Sequence, residues 1–160
     1  IIGKSRVLRF IDNSPKLTSR INATHIFIYL AKGMNELDTD AQVTAIKAIK
    51  RALKKEASEL LPIRVSKIAQ QTGLDYGKLS YKSMRSRWGS CTNKKDISLN
   101  IYLLMMPYEL IDYVILHELT HTKHLNHGKD FWNALESHMP DYKNRRKQLK
   151  ELQPNILAIQ

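Results

Sequence analysis

Cysteine is almost absent. The 160 residues hold one, Cys91, so no internal disulfide can staple the chain, and a reducing compartment, the cytoplasm, is the expected location. Six glycines and five prolines are too few for a collagen-like or low-complexity chain, and no internal repeat is present. No apolar run approaches the roughly 20 residues that span a bilayer, which excludes a membrane-spanning helix. No signal-peptide pattern is visible, although the chain starts at Ile1 rather than Met, so its first segment is expected to be truncated at its start. Acidic residues are short as well: 15 against 26 Lys and Arg, a formal net charge of +11. That surplus raises nucleic acid or another acidic partner.

Hydrophobic residues make up 42% of the chain, enough to exclude wholesale disorder and to bury about two-thirds of the unfolded surface. The positive charge is uneven. Residues 101–138 carry two basic and five acidic groups, and this acidic segment is also where the histidines concentrate.

Residues 5–11, SRVLRFI, and 23–30, ATHIFIYL, read as strands, separated by a polar loop over 12–22 that contains Pro15. From Asp38 on, alanines and Val43, Ile46, Ile49 and Leu53 recur at helical spacing. Pro62 should end or kink that helix, and Gly73 stops the helical pattern that continues over 63–72. Residues 79–84 and 96–101 read as two more strands, joined by the polar connection RSRWGSCTNKK. Pro107 opens a mostly buried helix that should end near 122–126. A third helix covers 129–138, and Pro140 separates it from a basic terminal helix. Strands, helices, strands, helices in that order predict an α+β chain, with a β-rich segment over 1–36 and a second domain over 37–160.

Residues 117–121 read His-Glu-Leu-Thr-His. Two histidines four apart on a helix share one face one turn apart, so both imidazoles can bind one ion, and Glu118 beside them can take a proton from an attacking water. His124, seven residues after His117, stands about 10.5 Å further along a continuous helix, too far for one ion with bonds near 2 Å. His127 lies beyond the predicted helix end, where a turn over 125–128 can fold it back; it is preferred as third ligand, with Glu136 as a weaker rival. The string HELTHTKHLNH has metzincin histidine spacing, but His124 stands where those proteins have glycine, which argues against that group.

Four blocks in order, SMRSRWGSC, ISLNIYLLMMP, YVILHELTH and NHGKDFW, resemble the YgjP-like metallopeptidase family from about residue 83 to residue 138. The resemblance implies a zincin-like fold with a small mixed or antiparallel sheet packed on helices. It implies one Zn²⁺ held by His117, His121 and His127, and Glu118 as catalytic base cleaving a peptide bond. The related SprT-type zinc peptidases act on proteins crosslinked to DNA. Protein or peptide substrates are therefore expected, and no membrane.

Trp88 and Cys91 flank a Gly-Ser pair that reads as a tight turn with an aromatic plug; Arg87 or Trp88 beside the cleft is the functional alternative. Cys91 has no partner cysteine and is expected to be neither ligand nor nucleophile. Phe131 and Trp132 should pack the third helix on the metal helix. Strand 96–101 is the candidate edge for a bound peptide, and Tyr142 or His138 the candidate oxyanion stabiliser. The competing reading is a basic nucleic-acid-associated protein with a structural zinc site, suggested by Lys50, Arg51, Lys54, Lys55 and Arg145, Arg146, Lys147. Such a site normally has four protein ligands, so catalysis is favoured. A protease recruited to DNA by its basic surface combines the two.

Overall fold

The structure, a computed structural model, describes residues 3–157. It divides into two compact units, Gly3–Glu56 and Ala57 onward. The first contains strands β1 (Val7–Ser14), β2 (Thr18–Ile21) and β3 (His25–Ala31) and the first part of helix α1 (Thr39–Thr72). β3 is central, parallel to β1 and antiparallel to β2. The stretch read as a loop over 12–22 therefore holds the end of β1 and all of β2. Its polar residues suit a strand with one face in water, and β3 supplies the pairing that the local sequence does not show.

Every second residue of β3, Ile26, Ile28 and Leu30, is buried against Ala41, Ala45, Ala48 and Ala52 of α1. Alanines at four- and three-residue steps form one stripe of the helix, and their small size lets the sheet approach closely. The larger aliphatics sit beside that stripe or outside it: Val43 is exposed and Ile46, Ile49 and Leu53 are half-buried. Glu56 is buried and paired with Arg6, and it also accepts from the Lys4 amide at 2.9 Å.

Pro62 lies inside α1 without ending it. Its missing amide costs about 3 kcal/mol, and burial of Ala57, Leu61, Val65 and Ala69 on one helix face offsets that cost. Gly73, at φ +65°, then stops the helix as expected.

The second unit has a sheet of β4 (Leu79–Lys82), β5 (Gly89–Cys91) and β6 (Ile97–Asn100), with β6 central, parallel to β4 and antiparallel to β5. All four residues of β6 are buried. Strand 96–101 is thus not an edge: both its sides are already paired, and the candidate peptide edge moves to β5. A 3-10 turn (Ile101–Met105) leads into α2 (Tyr108–Thr120), followed by α3 (Lys129–His138) and α4 (Tyr142–Leu157). α2 is apolar around most of its circumference: Leu110, Ile111, Tyr113 to Leu116 and Leu119 are all buried, which makes it the axis of this unit. Arg64 and Asp112 form an ion pair between α1 and α2, and the Arg64 guanidinium also lies 4.3 Å from the centre of the Tyr108 ring. No helix among the described residues is long and apolar enough to cross a membrane.

Candidate active site

The last turn of α2 carries His117 and Glu118, and His121 caps its end. Beyond it the chain unwinds through short backbone bonds, Thr122 to Leu119 at 3.0 Å and Lys123 to Thr120 at 3.1 Å, with no residue from 121 to 127 in the left-handed region. The reversal needs no glycine at position 124, and it returns His127 onto the helix.

The three imidazoles of His117, His121 and His127 meet. Nε2 of His127 stands 2.9 Å from Nε2 of His117 and 3.1 Å from Nε2 of His121. Nδ1 of His121 faces the backbone carbonyl of His124 at 3.0 Å. A carbonyl can only accept, so Nδ1 carries the proton and the Nε2 lone pair of His121 is directed into the cluster. One proton on His127 Nε2 can satisfy one neighbour, not two. A cation satisfies all three lone pairs at once, and three nitrogens bonded to one ion at about 2.0–2.1 Å would stand roughly 3.3 Å apart in a tetrahedral site. The two distances from His127 are a few tenths of an ångström from that spacing, and all three donors lie within 4.8 Å of one another, so the residues present fit a divalent metal. Burial, then the neighbouring His121, His127 and Arg146, push His117 down to about 3, which keeps its ring neutral and a donor. His121 is lowered too, chiefly by burial.

Phe131 is fully buried beneath this cluster, its ring centre 4.9, 4.6 and 4.7 Å from those of His117, His121 and His127. The adjacent Trp132 donates its Nε1–H to the His127 carbonyl at 3.0 Å and stacks on the His127 ring. Both aromatics of α3 therefore hold imidazoles, a closer role than packing helix on helix.

Glu118 is 6% exposed, and burial raises its carboxyl to about 7, with Arg87 pulling the other way. Its side chain lies against Gly89: a Cβ there would come within 2.6 Å of Oε1. The glycine that reads in the sequence as part of a turn is the place where the β5 backbone makes room for the carboxylate.

The histidines and Glu118 line a groove of about 540 Å³, closed on one side by Arg87, Gly89 to Cys91 and Asn93, and on the other by Leu125 and Asn126. Arg87 is thus at the cleft. Trp88 lines a smaller cavity of about 200 Å³ that also reaches His117 and Glu118, with Tyr113, Val114 and Leu149. Burial raises the Cys91 thiol to about 11, and Glu118 adds to the rise, so it is a protonated lining group outside the histidine cluster. The ring of His124 also lies outside the cluster, and only its backbone carbonyl serves the site. Glu136 sits exposed on α3 and pairs with Lys143 at 3.3 Å. Tyr142 is buried and stacked on Trp132, and His138 is at the exposed end of α3. Neither lines the groove, so neither is placed to stabilise an oxyanion there.

The sequence profile of the YgjP-like metallopeptidase domain matches residues 3–152. No curated protein matches the chain. Among solved structures, the metallopeptidase zymogen of abylysin from Pyrococcus abyssi is 22% identical, with a TM-score of 0.51, over 56% of this chain and 91% of its own. The jannalysin zymogen from Methanocaldococcus jannaschii is 29% identical, with a TM-score of 0.47, over the same shares of the two chains. Wss1 from Saccharomyces cerevisiae is 16% identical, with a TM-score of 0.42, over 92% and 98%. The abylysin likeness supports a shared metallopeptidase fold. With the profile covering nearly its whole length, the chain belongs to the YgjP-like metallopeptidase family and is a metal-dependent hydrolase of protein or peptide substrates.

Proposed function

We propose that the metal is zinc, one ion per chain, held by Nε2 of His117, His121 and His127, and that Glu118 is the general base for peptide-bond hydrolysis. The observation that carries this reading is the convergence of three imidazole nitrogens beside a buried carboxylate in one groove. An all-imidazole donor set suits zinc better than it suits magnesium or calcium, which take oxygen ligands. Three protein donors rather than four suit a catalytic rather than a structural zinc site. When bound, zinc supplies a Lewis acid and makes water a nucleophile near neutral pH.

The chain's own residues supply the rest. Glu118 takes the proton of the attacking water at a carboxylate oxygen and delivers it to the leaving amine nitrogen. β5 has one side paired to β6 and the other along the groove, so an extended peptide can add to it through main-chain hydrogen bonds. Arg87 at the rim offers its guanidinium to a substrate carbonyl or carboxylate.

Metal analysis of protein purified without chelators or a metal-affinity tag tests the reading, together with casein hydrolysis. The expected result is about one zinc per chain, and activity that a chelator removes and zinc restores. Protein that stays metal-free when zinc is offered back would overturn it.

Gly89→Val tests the close approach of β5 to Glu118. The added side chain must displace the carboxylate, and a shift of about 1 Å costs on the order of 10²-fold in rate. Hydrolysis should fall by about that factor while zinc content holds; an unchanged rate would show that the carboxylate does not need this space.

A further inference from the structure

The N-terminal sheet has one face on α1 and a second face of unusual make-up. Alternation along β3 sends Ile26, Ile28 and Leu30 into the core and places His25, Phe27 and Tyr29 on the opposite side, where all three are half-buried rather than covered. Their rings form a row. His25 and Phe27 are stacked at 5.2 Å and 9°, and Phe27 and Tyr29 lie 6.3 Å apart at 37°. The strand register sets Arg9 on one side of Phe27 and Arg20 on the other. Both arginines are exposed, and neither guanidinium has a hydrogen bond or ion pair among the described residues. No strand residue paired with His25, Phe27, Tyr29 or Ala31 is Asp or Glu; the one acidic residue of the three strands, Asp12, is exposed in the irregular stretch of β1 between Ile11 and Ser14.

An antiparallel or mixed sheet with one wet face normally shows polar residues there. A row of rings flanked by two unneutralised guanidiniums departs from that pattern. We infer that this face is a platform for single-stranded nucleic acid, with bases stacking on Phe27 and Tyr29 and phosphates held by Arg9 and Arg20. Alternate residues on a strand stand about 6.7 Å apart, so successive unpaired bases of an extended strand can each reach a ring. Residues 3–56 carry eleven basic and five acidic groups, the charge that such a backbone requires. Duplex DNA hides its base faces and cannot use the rings. A second copy docked face to face would bring four guanidiniums together with no carboxylate at any position paired with the ring row, which disfavours a dimer through this surface.

The inference stands apart from the hydrolytic reading, because it uses none of the groove residues. It is therefore tested on full-length Glu118→Gln protein, whose binding does not depend on whether hydrolysis occurs. Fluorescence anisotropy of a short labelled oligodeoxythymidylate is followed at rising salt. Binding is expected, with an unlabelled single strand competing at least tenfold better than a duplex of equal length. Phe27→Leu keeps an apolar side chain but removes the stacking surface, and should weaken binding by about 5-fold or more. Arg9→Ala with Arg20→Ala should flatten the salt slope by about 1.4, roughly 0.7 for each lost phosphate contact on a single strand. Thermal melts establish that each variant is folded. Absence of binding at low salt, equal competition by duplex, or folded variants that bind like the parent would overturn the proposal. So would sedimentation showing self-association that Phe27→Leu abolishes, since that would assign the face to a second copy.

Discussion

Glu118→Gln is expected to retain its metal and lose hydrolysis by about 10²–10⁴-fold in kcat, the usual worth of a positioned general base. The amide is nearly isosteric with the carboxylate, so its contact with the Gly89 backbone survives, and the three imidazoles are untouched. What it loses is the ability to accept a proton from water and return it to the departing amine. Metal analysis and casein hydrolysis on the same preparation check both halves. A variant that cleaves as fast as the parent would remove Glu118 from the mechanism. One that loses its metal as well would show that the carboxylate supports the site rather than the chemistry.

His127→Ala should weaken zinc binding by more than the roughly 10–100-fold that loss of even an outer-shell partner costs. His124→Ala should leave the affinity unchanged, although the two residues are three apart in one short loop. The contrast follows from which atoms are used. His127 presents Nε2 to both helix histidines, whereas His124 contributes only its backbone carbonyl to His121 Nδ1, and alanine keeps that carbonyl. Competition with a chromogenic zinc chelator measures both variants. The reverse order, with His124→Ala weak and His127→Ala tight, would overturn the ligand assignment.

The helical part of the site is legible in the sequence because its logic is local. Residues four apart on an α-helix must share a face, so His117 and His121 converge wherever α2 packs, and Glu118 lies beside them. Two helix boundaries were legible for the same reason, since Pro107 and Gly73 act through their own backbone conformations, whereas Pro62 does not end α1 and α2 stops at Thr120, short of the expected 122–126. Two elements stayed hidden. β2 and β5 are short and polar or small, and they exist because β3 and β6 offer partners distant in the sequence. Reading 96–101 as an edge failed likewise, since nothing within a strand tells how many neighbours it has. The helical spacing of the α1 alanines was legible, but not that they, rather than the larger aliphatics beside them, face β3.

The sequence by itself determined an α+β chain with a basic surplus, a helix that pairs two imidazoles with a carboxylate, and a resemblance that implied a third histidine after the turn. Tertiary structure alone decided how those groups are held. Phe131 from α3 underlies all three rings, Trp132 fixes the returning loop, a main-chain carbonyl orients His121, and Gly89 from β5 makes room for Glu118. The physical reason is range: helix geometry repeats every few residues and shows in spacing, while packing and strand pairing join segments whose separation in sequence carries no such signal.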